Sequence, residues 1–263
     1  MSSTGTRPPA RSGPKTLDAG AFLAAAEQLP FATIQGLTAG HGLVVVAPHP
    51  DDETLGCGGL IATACAAGIG VHVVIVSDGT GSHPNSETYP PDRLRALRES
   101  EARAACRVLG LHDTDVSFLR LPDTAVPTSG PDAEAAAHTI AAICHAMNAR
   151  ALFVTWPHDP HCDHLAGHAI TRIAVSHCAD VALYAYPVWG WSLLPVGNDV
   201  GAAPRGNRLD ISMQLTKKRA AIQMHRSQIS GLINDDPEGF RLDEDMLRRF
   251  GSRPFEIFLE CDR

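Results

Sequence analysis

Two short segments of the chain concentrate side chains that bind metal ions. The first is Pro48-His49-Pro50-Asp51-Asp52-Glu53, with one imidazole and three carboxylates in five residues. Imidazole and carboxylate ligands suit a borderline metal such as zinc. His49 and Asp52 are three residues apart, so both could reach one ion across a turn. Asp51, between them, could then face a water on that ion, as a general base must.

A structural interpretation of this first segment stays open. Asp51 or Asp52 could cap a helix that begins near Glu53, because carboxylates favour helix N-termini. Capping needs only one of the two carboxylates, and it gives His49 no role. The combination of residue types therefore favours a functional site.

The second segment is His158-Asp159-Pro160-His161-Cys162-Asp163-His164, with three histidines in seven residues. One histidine from it would complete a set of two imidazoles and one carboxylate. Such a set leaves a fourth position open for water or substrate, as hydrolytic zinc sites do. The alternatives are a His-rich surface loop and a thiolate ligand at Cys162. We favour a small buried thiol for Cys162, because nitrogen and oxygen donors already suffice.

The elements predicted around these segments place both at one edge of a sheet. Apolar runs of strand length occur at 43–47, 71–77, 116–121, 151–155, 181–187 and 255–260. Helical patterns occupy about 53–67, 92–109, 132–148, 164–178 and 213–229. This alternation predicts an α/β fold, a Rossmann-like three-layer sandwich with a mostly parallel central sheet. The first segment directly follows the strand at 43–47, and the second follows the strand at 151–155. Ligands bind beyond the carboxyl ends of such strands.

Composition narrows the class of protein. The 263 residues are 44% hydrophobic and 19% charged, with a net charge of −7 and no basic stripe, so we expect no nucleic-acid partner.

Residues 1–16 are rich in Ser, Thr, Gly and Pro, which predicts a disordered tail before one domain at 17–263. With seven cysteines, no CxxC pair, no leader pattern and no membrane-length apolar run, we expect a cytoplasmic protein without a membrane partner. A homo-oligomer is possible.

The motifs APHPDDE (47–53) and HCDH (161–164) together resemble those of the PIG-L/LmbE-like family of zinc-dependent N-acetylglucosaminyl deacetylases. The similarity covers roughly residues 42–188. Five further residues look like the family pattern: Gly56, Gly58, Gly59, Arg98 and Glu101. Cys162 is a departure, since many relatives carry proline there. The resemblance implies an LmbE-like domain that removes the N-acetyl group from a 2-acetamido sugar (N-acetylglucosamine-type) conjugate. The partner of the protein would then be this small-molecule substrate.

The resemblance also implies a role for each matching position. Three residues would bind one zinc ion per chain: His49, Asp52 and His164. A metal-bound water would attack the amide, with Asp51 as the general base. His161 would stabilise the oxyanion as a protonated imidazole, and Asp163 would orient or polarise His161. Arg98 would contact the substrate.

Substrate recognition is predicted from loops at the same edge of the sheet. Asp78 and Ser82 follow the second strand and could bind sugar hydroxyls. Trp189 or Trp191, in an irregular loop at 188–207, could supply an aromatic face. Ordinary turn chemistry explains any one of these residues equally well. His225, in the late helical segment, is more often a packed histidine than a site residue.

Three rival functions share some of these features. A zinc amidase acting on a non-sugar amide or thiol conjugate would need the same metal chemistry. A Rossmann-like nucleotide-binding module would place its glycines in the first strand-to-helix turn, whereas here they begin only at Gly56. A non-catalytic sugar-binding relative would need neither Asp51 nor His161.

Overall fold

The structure, a computed structural model, describes residues 16–192 and 199–262. The strands in these ranges are β1 (Leu17–Asp18), β2 (Phe31–Ala32), β3 (Gly42–Ala47), β4 (Val71–Ser77), β5 (Val116–Leu121), β6 (Ala149–Thr155), β7 (Ala182–Tyr186), β8 (Asp199–Gly201), β9 (Gly206–Asp210) and β10 (Phe255–Glu260). The helices are α1 (Ala19–Ala26), α2 (Ile34–Thr38), α3 (Asp52–Ala66), α4 (Pro91–Leu109), α5 (Pro131–Ala146), α6 (Cys162–Ser176), α7 (Leu215–Ile222), α8 (Arg226–Ile229) and α9 (Glu244–Ser252).

Eight strands form the central sheet, in the order β2-β9-β10-β7-β6-β3-β4-β5. Five of its seven pairings are parallel. Only β10 runs antiparallel to its two neighbours, β7 and β9. The short strands β1 and β8 pair separately as an antiparallel ribbon. The mostly parallel sheet predicted from the sequence is therefore confirmed.

Side chains of the central strands alternate between two apolar cores. On β3, Val45 faces a core covered by α3, α4 and α7, while Val44 and Val46 face a core covered by α5 and α6. All three valines are fully buried. Burial on both faces explains why the strand is a continuous apolar run and not an alternating one. The three-layer α/β sandwich is confirmed.

The order of the strands reverses beside β3. The chain passes from β3 outward to β4 and β5, and α5 then returns it to β6, on the opposite side of β3. Loops that leave two such strands diverge and open a crevice, which is where α/β proteins bind ligands. The loops at 48–51 and 156–161, which contain most of the two predicted metal-binding segments, leave β3 and β6 at this point.

A buried ion pair holds the middle of α3. The two carboxylate oxygens of Glu256, on β10, accept hydrogen bonds from the backbone N–H groups of Gly59 and Leu60, both at 2.7 Å. The ammonium of Lys218, on α7, donates to Glu256 at 2.6 Å and to the carbonyl of Leu55 at 2.7 Å. Two neighbouring elements thereby fix the helix whose first two residues belong to the first predicted metal-binding segment.

Two glycines let α3 approach its neighbours closely. A Cβ atom at Gly56 would lie 2.1 Å from Cδ2 of Tyr186, and one at Gly59 would lie 2.5 Å from Cγ2 of Ile211. No side chain fits at such distances. These contacts give a physical reason for the glycines that follow the first segment.

The late helix predicted over 213–229 is divided in the structure. A 3-10 turn at Ser212–Gln214 leads into α7, and residues 223–225, which end at the N-cap His225, separate α7 from α8. Beyond the break, the backbone N–H and hydroxyl of Ser227 both donate to the carboxylate of Glu101, at 2.8 and 2.6 Å. A side-chain carboxylate thus replaces a backbone hydrogen-bond acceptor that a continuous helix would have supplied. The strands β2 and β9 and the helices α2 and α9 were not predicted.

Two predictions reach beyond the described ranges. Most of the predicted tail at 1–16 lies outside them, as do residues 193–198 of the predicted loop at 188–207. The described part of that loop contains a 3-10 turn at Trp189–Trp191 and the strand β8. Among the described residues, no helix combines the length and the apolar character needed to cross a bilayer.

Lys218→Met should lower the free energy of unfolding by about 3–5 kcal/mol, because it leaves the buried carboxylate of Glu256 without its cation. Both side chains are only 3% exposed. Chemical denaturation followed by circular dichroism measures the change. Lys217→Met, at the exposed neighbouring position, is the matched control and should change stability by less than roughly 0.5 kcal/mol. Equal effects of the two substitutions would contradict this role for the ion pair.

Candidate active site

The loop after β3 folds His49 over the start of α3. The backbone N–H of Asp52 donates to the carbonyl of His49 at 3.3 Å. In return, Oδ2 of Asp52 accepts from the backbone N–H of His49 at 2.9 Å and lies 3.2 Å from its Nδ1. Asp51 makes no side-chain hydrogen bond to the helix backbone. The turn therefore brings the two predicted ligands together, and Asp51 stands at the N-cap position of α3 without capping it through its side chain.

The loop after β6 brings the third predicted ligand to the same point. His164 lies in the first turn of α6, and its Nε2 is 3.2 Å from Oδ2 of Asp52. Its other ring nitrogen, Nδ1, is 2.9 Å from Oδ2 of Asp159. One carboxylate oxygen thus lies at the same distance from a ring nitrogen of His49 and of His164. The two segments converge although they are distant in sequence.

The separations of Asp52 from the two histidines suit a metal ion. Donor atoms about 2.0–2.2 Å from a tetrahedral zinc lie roughly 3.3 Å from one another, close to the 3.2 Å separations seen here. Nε2 of His164 is buried and has no hydrogen-bond partner among the described residues, which suits an atom that faces an ion. His49, Asp52 and His164 are all at least nine-tenths buried.

Other groups of ligand atoms adjoin this set. The ring nitrogens of His49, His161 and His164 lie within 4.8 Å of one another, as do donor atoms of His49, Asp123 and Asp163. A third group, His161, Cys162 and Asp163, shares members with these two. The site is therefore a cluster of overlapping groups of ligand atoms.

The carboxylates control protonation of the two candidate imidazole ligands. Burial lowers the pKa of His164, but Asp52 and Asp159 outweigh that effect and raise its pKa to about 9. Burial likewise opposes a charge on His49, yet its carboxylate partners raise its pKa well above the usual value. Conversely, the two imidazoles hold the pKa of Asp52 below its usual range, against the effect of burial. These shifts favour protonation of both rings, so protons compete with a metal ion for them.

Asp163 orients His49 and not His161. Its Oδ2 lies 3.2 Å from Nε2 of His49 and accepts a hydrogen bond from the backbone N–H of Thr124 at 2.6 Å. Asp123 contacts the same ring nitrogen at 3.2 Å. The family resemblance implied that Asp163 orients His161. The described hydrogen bond between them instead comes from the backbone N–H of Asp163, which donates to Nδ1 of His161. The carboxylate instead directs Nδ1 of His49 toward Asp52.

His161 is neutral in this environment. Burial and the neighbouring His49 and His164 lower its pKa to about 4. Its Nδ1 accepts a hydrogen bond from the backbone N–H of Asp163 at 3.2 Å, which leaves the ring proton on Nε2. The structure thus differs from the protonated imidazole that the resemblance implied, but the neutral ring keeps one N–H donor.

Asp51 has the protonation behaviour of a base. It is 5% exposed, and burial raises its pKa to about 6, while the guanidinium of Arg98 opposes the rise. Nη2 of Arg98 lies 3.3 Å from Oδ2 of Asp51, and Nη1 donates to the carbonyl of Gly79 at 2.9 Å. A carboxylate with a pKa near 6 is ionised at neutral pH and still accepts a proton readily.

The cluster opens into a cavity of about 230 Å³. The polar residues of its lining include His49, Asp51, Asp52, Ser82, Arg98, Asp123, His161 and Gln228. The apolar part of the lining, here called the cavity wall, consists of Leu55, Val188, Trp189, Phe240 and Leu242. A lining that contains both polar and apolar side chains suits a ligand with both kinds of surface, such as a sugar.

The predicted substrate residues are only partly brought to the cavity. Arg98 and Ser82 line it, whereas Asp78 is absent from its described lining. Oδ1 of Asp78 accepts hydrogen bonds from the backbone and hydroxyl of Thr80, at 3.0 and 2.9 Å, so the structure gives Asp78 a turn-forming role. Of the two tryptophans, Trp189 lines the cavity and Trp191 packs elsewhere.

His225 and Cys162 lie outside the described lining of the cavity. Nε2 of His225 is 3.3 Å from Oε1 of Glu53 and 3.1 Å from the hydroxyl of Thr54, and the ring is buried. It packs behind the site, as the more conservative interpretation expected. Cys162 is exposed, with its thiol 3.6 Å from the carbonyl of Thr124, so the prediction of a buried thiol was wrong.

Several lining residues were not predicted from the sequence. Asp123 follows β5 by two residues, so the rule that identified the two metal-binding segments would also have found it. Phe240 and Leu242 lie in a segment without helical or strand periodicity. Their positions depend on backbone hydrogen bonds to Ser82 and Gln228, at 2.7 and 2.8 Å, which no local pattern discloses.

Comparison with known families agrees with this geometry. The profile of the PIG-L family, described as GlcNAc-PI de-N-acetylase, matches residues 44–175. That range is half of the chain and contains both metal-binding segments. The chain belongs to the PIG-L family. The family resemblance drawn from the two motifs is therefore confirmed.

This PIG-L family member is also similar to individual proteins, in sequence and in fold. A 1D-myo-inositol 2-acetamido-2-deoxy-α-D-glucopyranoside deacetylase from Thermobifida fusca is 27% identical over 243 residues, covering 72% of this chain and 83% of the relative. The structure of N,N'-diacetylchitobiose deacetylase from Pyrococcus horikoshii superimposes with a TM-score of 0.62 at 21% identity, covering 84% of each chain.

The same fold is also used by a protein with a different named activity. GalB from Pseudomonas putida KT2440, a 4-carboxy-2-hydroxymuconate hydratase, superimposes with a TM-score of 0.60 at 20% identity, covering 85% of this chain and 97% of that one. Likeness at this level shows the fold alone. The chemistry of this PIG-L protein must therefore be argued from its own residues.

Purified protein should contain about one zinc ion per chain, and His49→Ala, Asp52→Ala and His164→Ala should each lose most of it, because each removes one of three donors. Elemental analysis measures the content. His138→Ala, an exposed histidine on α5, is the control and should keep the metal. Affinity should fall as the pH falls, since protons compete for His49 and His164. Full retention of metal by all three variants would refute the ligand set.

Proposed function

We propose that this protein is a zinc-dependent hydrolase that removes the N-acetyl group from a 2-acetamido sugar conjugate. The observation that carries the proposal is the position of Asp51, a buried carboxylate with a raised pKa, in one cavity with His49 and Asp52. A general base beside a candidate metal centre is the arrangement that amide hydrolysis needs. Membership of the PIG-L family and the deacetylase named in Thermobifida fusca support the same reaction class.

The residues of the cavity divide the chemistry between them. A zinc ion bound there would act as a Lewis acid and lower the pKa of a water molecule. Asp51 accepts the proton as the water attacks the carbonyl carbon. The Nε2–H group of His161 donates a hydrogen bond to the carbonyl oxygen as negative charge develops on it. When the C–N bond breaks, Asp51 returns the proton to the amine nitrogen, and the products are the free amine and acetic acid, which ionises to acetate by losing its proton to solvent.

The remaining lining supports a sugar substrate. Ser82 and Asp123 present a hydroxyl and a carboxylate to the cavity, and Oε1 of Gln228 is buried without a hydrogen-bond partner among the described residues. These groups are suited to sugar hydroxyls. Trp189 and Phe240, whose ring centroids are 5.4 Å apart, offer an aromatic surface to the apolar face of a sugar ring.

A substrate panel tests the reaction class. Free N-acetylglucosamine, its inositol glycoside, N,N'-diacetylchitobiose and acetyl-lysine are compared by the amine they release. We expect turnover of the sugars, with higher kcat/KM for the glycosides, because contacts remote from the amide help to position it. Chelator-treated protein is the control and should be inactive. Cleavage of acetyl-lysine with none of the sugars would reject the sugar substrate in favour of the amidase alternative.

The pH dependence tests Asp51 as the base. Asp51 must be ionised to accept a proton, so kcat/KM should rise with pH through the pKa of about 6. Arg98→Met should move this acid limb to higher pH by roughly one unit, because the guanidinium stabilises the ionised form. The control is Arg107→Met, a half-exposed arginine on the same helix, which should leave the limb in place.

Asp51→Asn should keep the metal and lose about 10²–10⁴ in kcat, the usual effect of removing a general base. Near-normal turnover by this variant would remove Asp51 from the mechanism. An acid limb that Arg98→Met leaves unmoved would show that the limb reports another group.

A further inference from the structure

The carboxylate of Asp159 joins the metal centre to the cavity wall. Its side chain is fully buried. Its Oδ2 accepts hydrogen bonds from Nδ1 of His164 at 2.9 Å and from the backbone N–H groups of Val188 at 2.9 Å and Trp189 at 3.2 Å. Its Oδ1 accepts from the backbone N–H of Gly190 at 2.7 Å. One side chain thus holds a candidate metal ligand and three consecutive backbone donors.

Each end of this contact affects a different part of the site. Donation from Nδ1 of His164 fixes the ring tautomer and leaves Nε2 free to bind metal, the usual effect of a carboxylate behind a metal-binding histidine. At the other end, Val188 and Trp189 line the cavity. The orientation of the ring and the position of the cavity wall therefore depend on the same carboxylate.

The chain is built closely around this contact. A Cβ atom at Gly190 would lie 2.9 Å from Oδ1 of Asp159 and 3.0 Å from Cε3 of Trp156. Any side chain at this position must displace the carboxylate or the indole. Glycine therefore permits the approach of the turn at Trp189–Trp191 to Asp159.

We propose that Asp159 is a positioning residue that couples metal binding at His164 to the placement of the Trp189 side of the cavity. His164 would hold a metal ion through Nε2, its imidazole would then hold the carboxylate of Asp159, and that carboxylate holds the turn that lines the cavity. Because coupling is reciprocal, a change confined to the turn must also change metal affinity. This inference rests on the proposed function, since it takes the metal and the substrate from it.

Two substitutions perturb the coupling from its opposite ends. Asp159→Asn keeps the shape of the side chain but replaces one acceptor oxygen with a donor, and it should weaken zinc affinity by about 10–100-fold. Gly190→Ala touches neither the metal nor a ligand, yet it should also weaken zinc affinity, because its methyl group displaces Asp159. Competition with a chromophoric chelator measures the affinity without reference to activity.

Two controls separate this coupling from other effects. Trp189→Ala removes the wall side chain but keeps the backbone N–H, so it should raise KM and leave zinc affinity unchanged. Gly231→Ala adds a methyl group whose nearest neighbour would be a side-chain atom of Arg241 at 3.7 Å, and it should bind zinc as the wild type does. Melting temperatures of the metal-free proteins show whether each variant is folded.

A measurement on the unmodified protein covers the case in which a variant fails to fold. Hydrogen exchange of the amides of residues 188–190 should be slower with zinc bound than after chelation. Wild-type zinc affinity in a folded Gly190→Ala variant, or exchange at 188–190 that zinc does not change, would overturn the coupling and leave the proposed function intact. A wild-type protein that binds no metal would overturn both.

Discussion

One oxygen atom of Asp52 lies between the rings of His49 and His164, 3.2 Å from a nitrogen of each. This convergence requires β3 and β6 to be adjacent and parallel, because Asp52 and His164 occupy the first turns of the helices that follow these strands. It also requires the first of those helices to stay in place. The buried pair of Lys218 and Glu256 bonds to its backbone and provides that restraint.

Each of the two imidazoles has a carboxylate at the ring nitrogen that faces away from Asp52. Asp159 contacts Nδ1 of His164, and Asp163 contacts Nε2 of His49. Buried carboxylates near one point are unfavourable without compensating positive charge, so the cluster suits a divalent cation. Adjacent residues nevertheless behave differently: two imidazoles hold the pKa of Asp52 down, whereas burial raises that of its neighbour Asp51. These opposite pKa shifts suit Asp52 to the role of a metal ligand and Asp51 to that of a general base.

Much of the fold and the centre of the site could be predicted from local patterns. The strands at 43–47 and 71–77 are apolar runs buried on both faces, and both were located to within a residue. The helix α9 was missed, although Asp243 caps it by accepting from the backbone N–H of Met246 at 2.7 Å. That cap is a local signal that sequence analysis could have used. The break at His225 had no such signal, since it depends on partners from distant elements.

The sequence by itself determined which residues have metal-binding chemistry and that they follow buried strands, because residue type and periodicity are local properties. Only the tertiary structure decided which of them meet. The strand order reverses beside β3, and that reversal sets the carboxylate of Asp163 against His49 and not against His161. The link from Asp159 to the turn at 188–190 was likewise decided by packing. Such contacts join segments that are far apart in the sequence, and no local pattern signals them. They form only when the layers of the fold pack together.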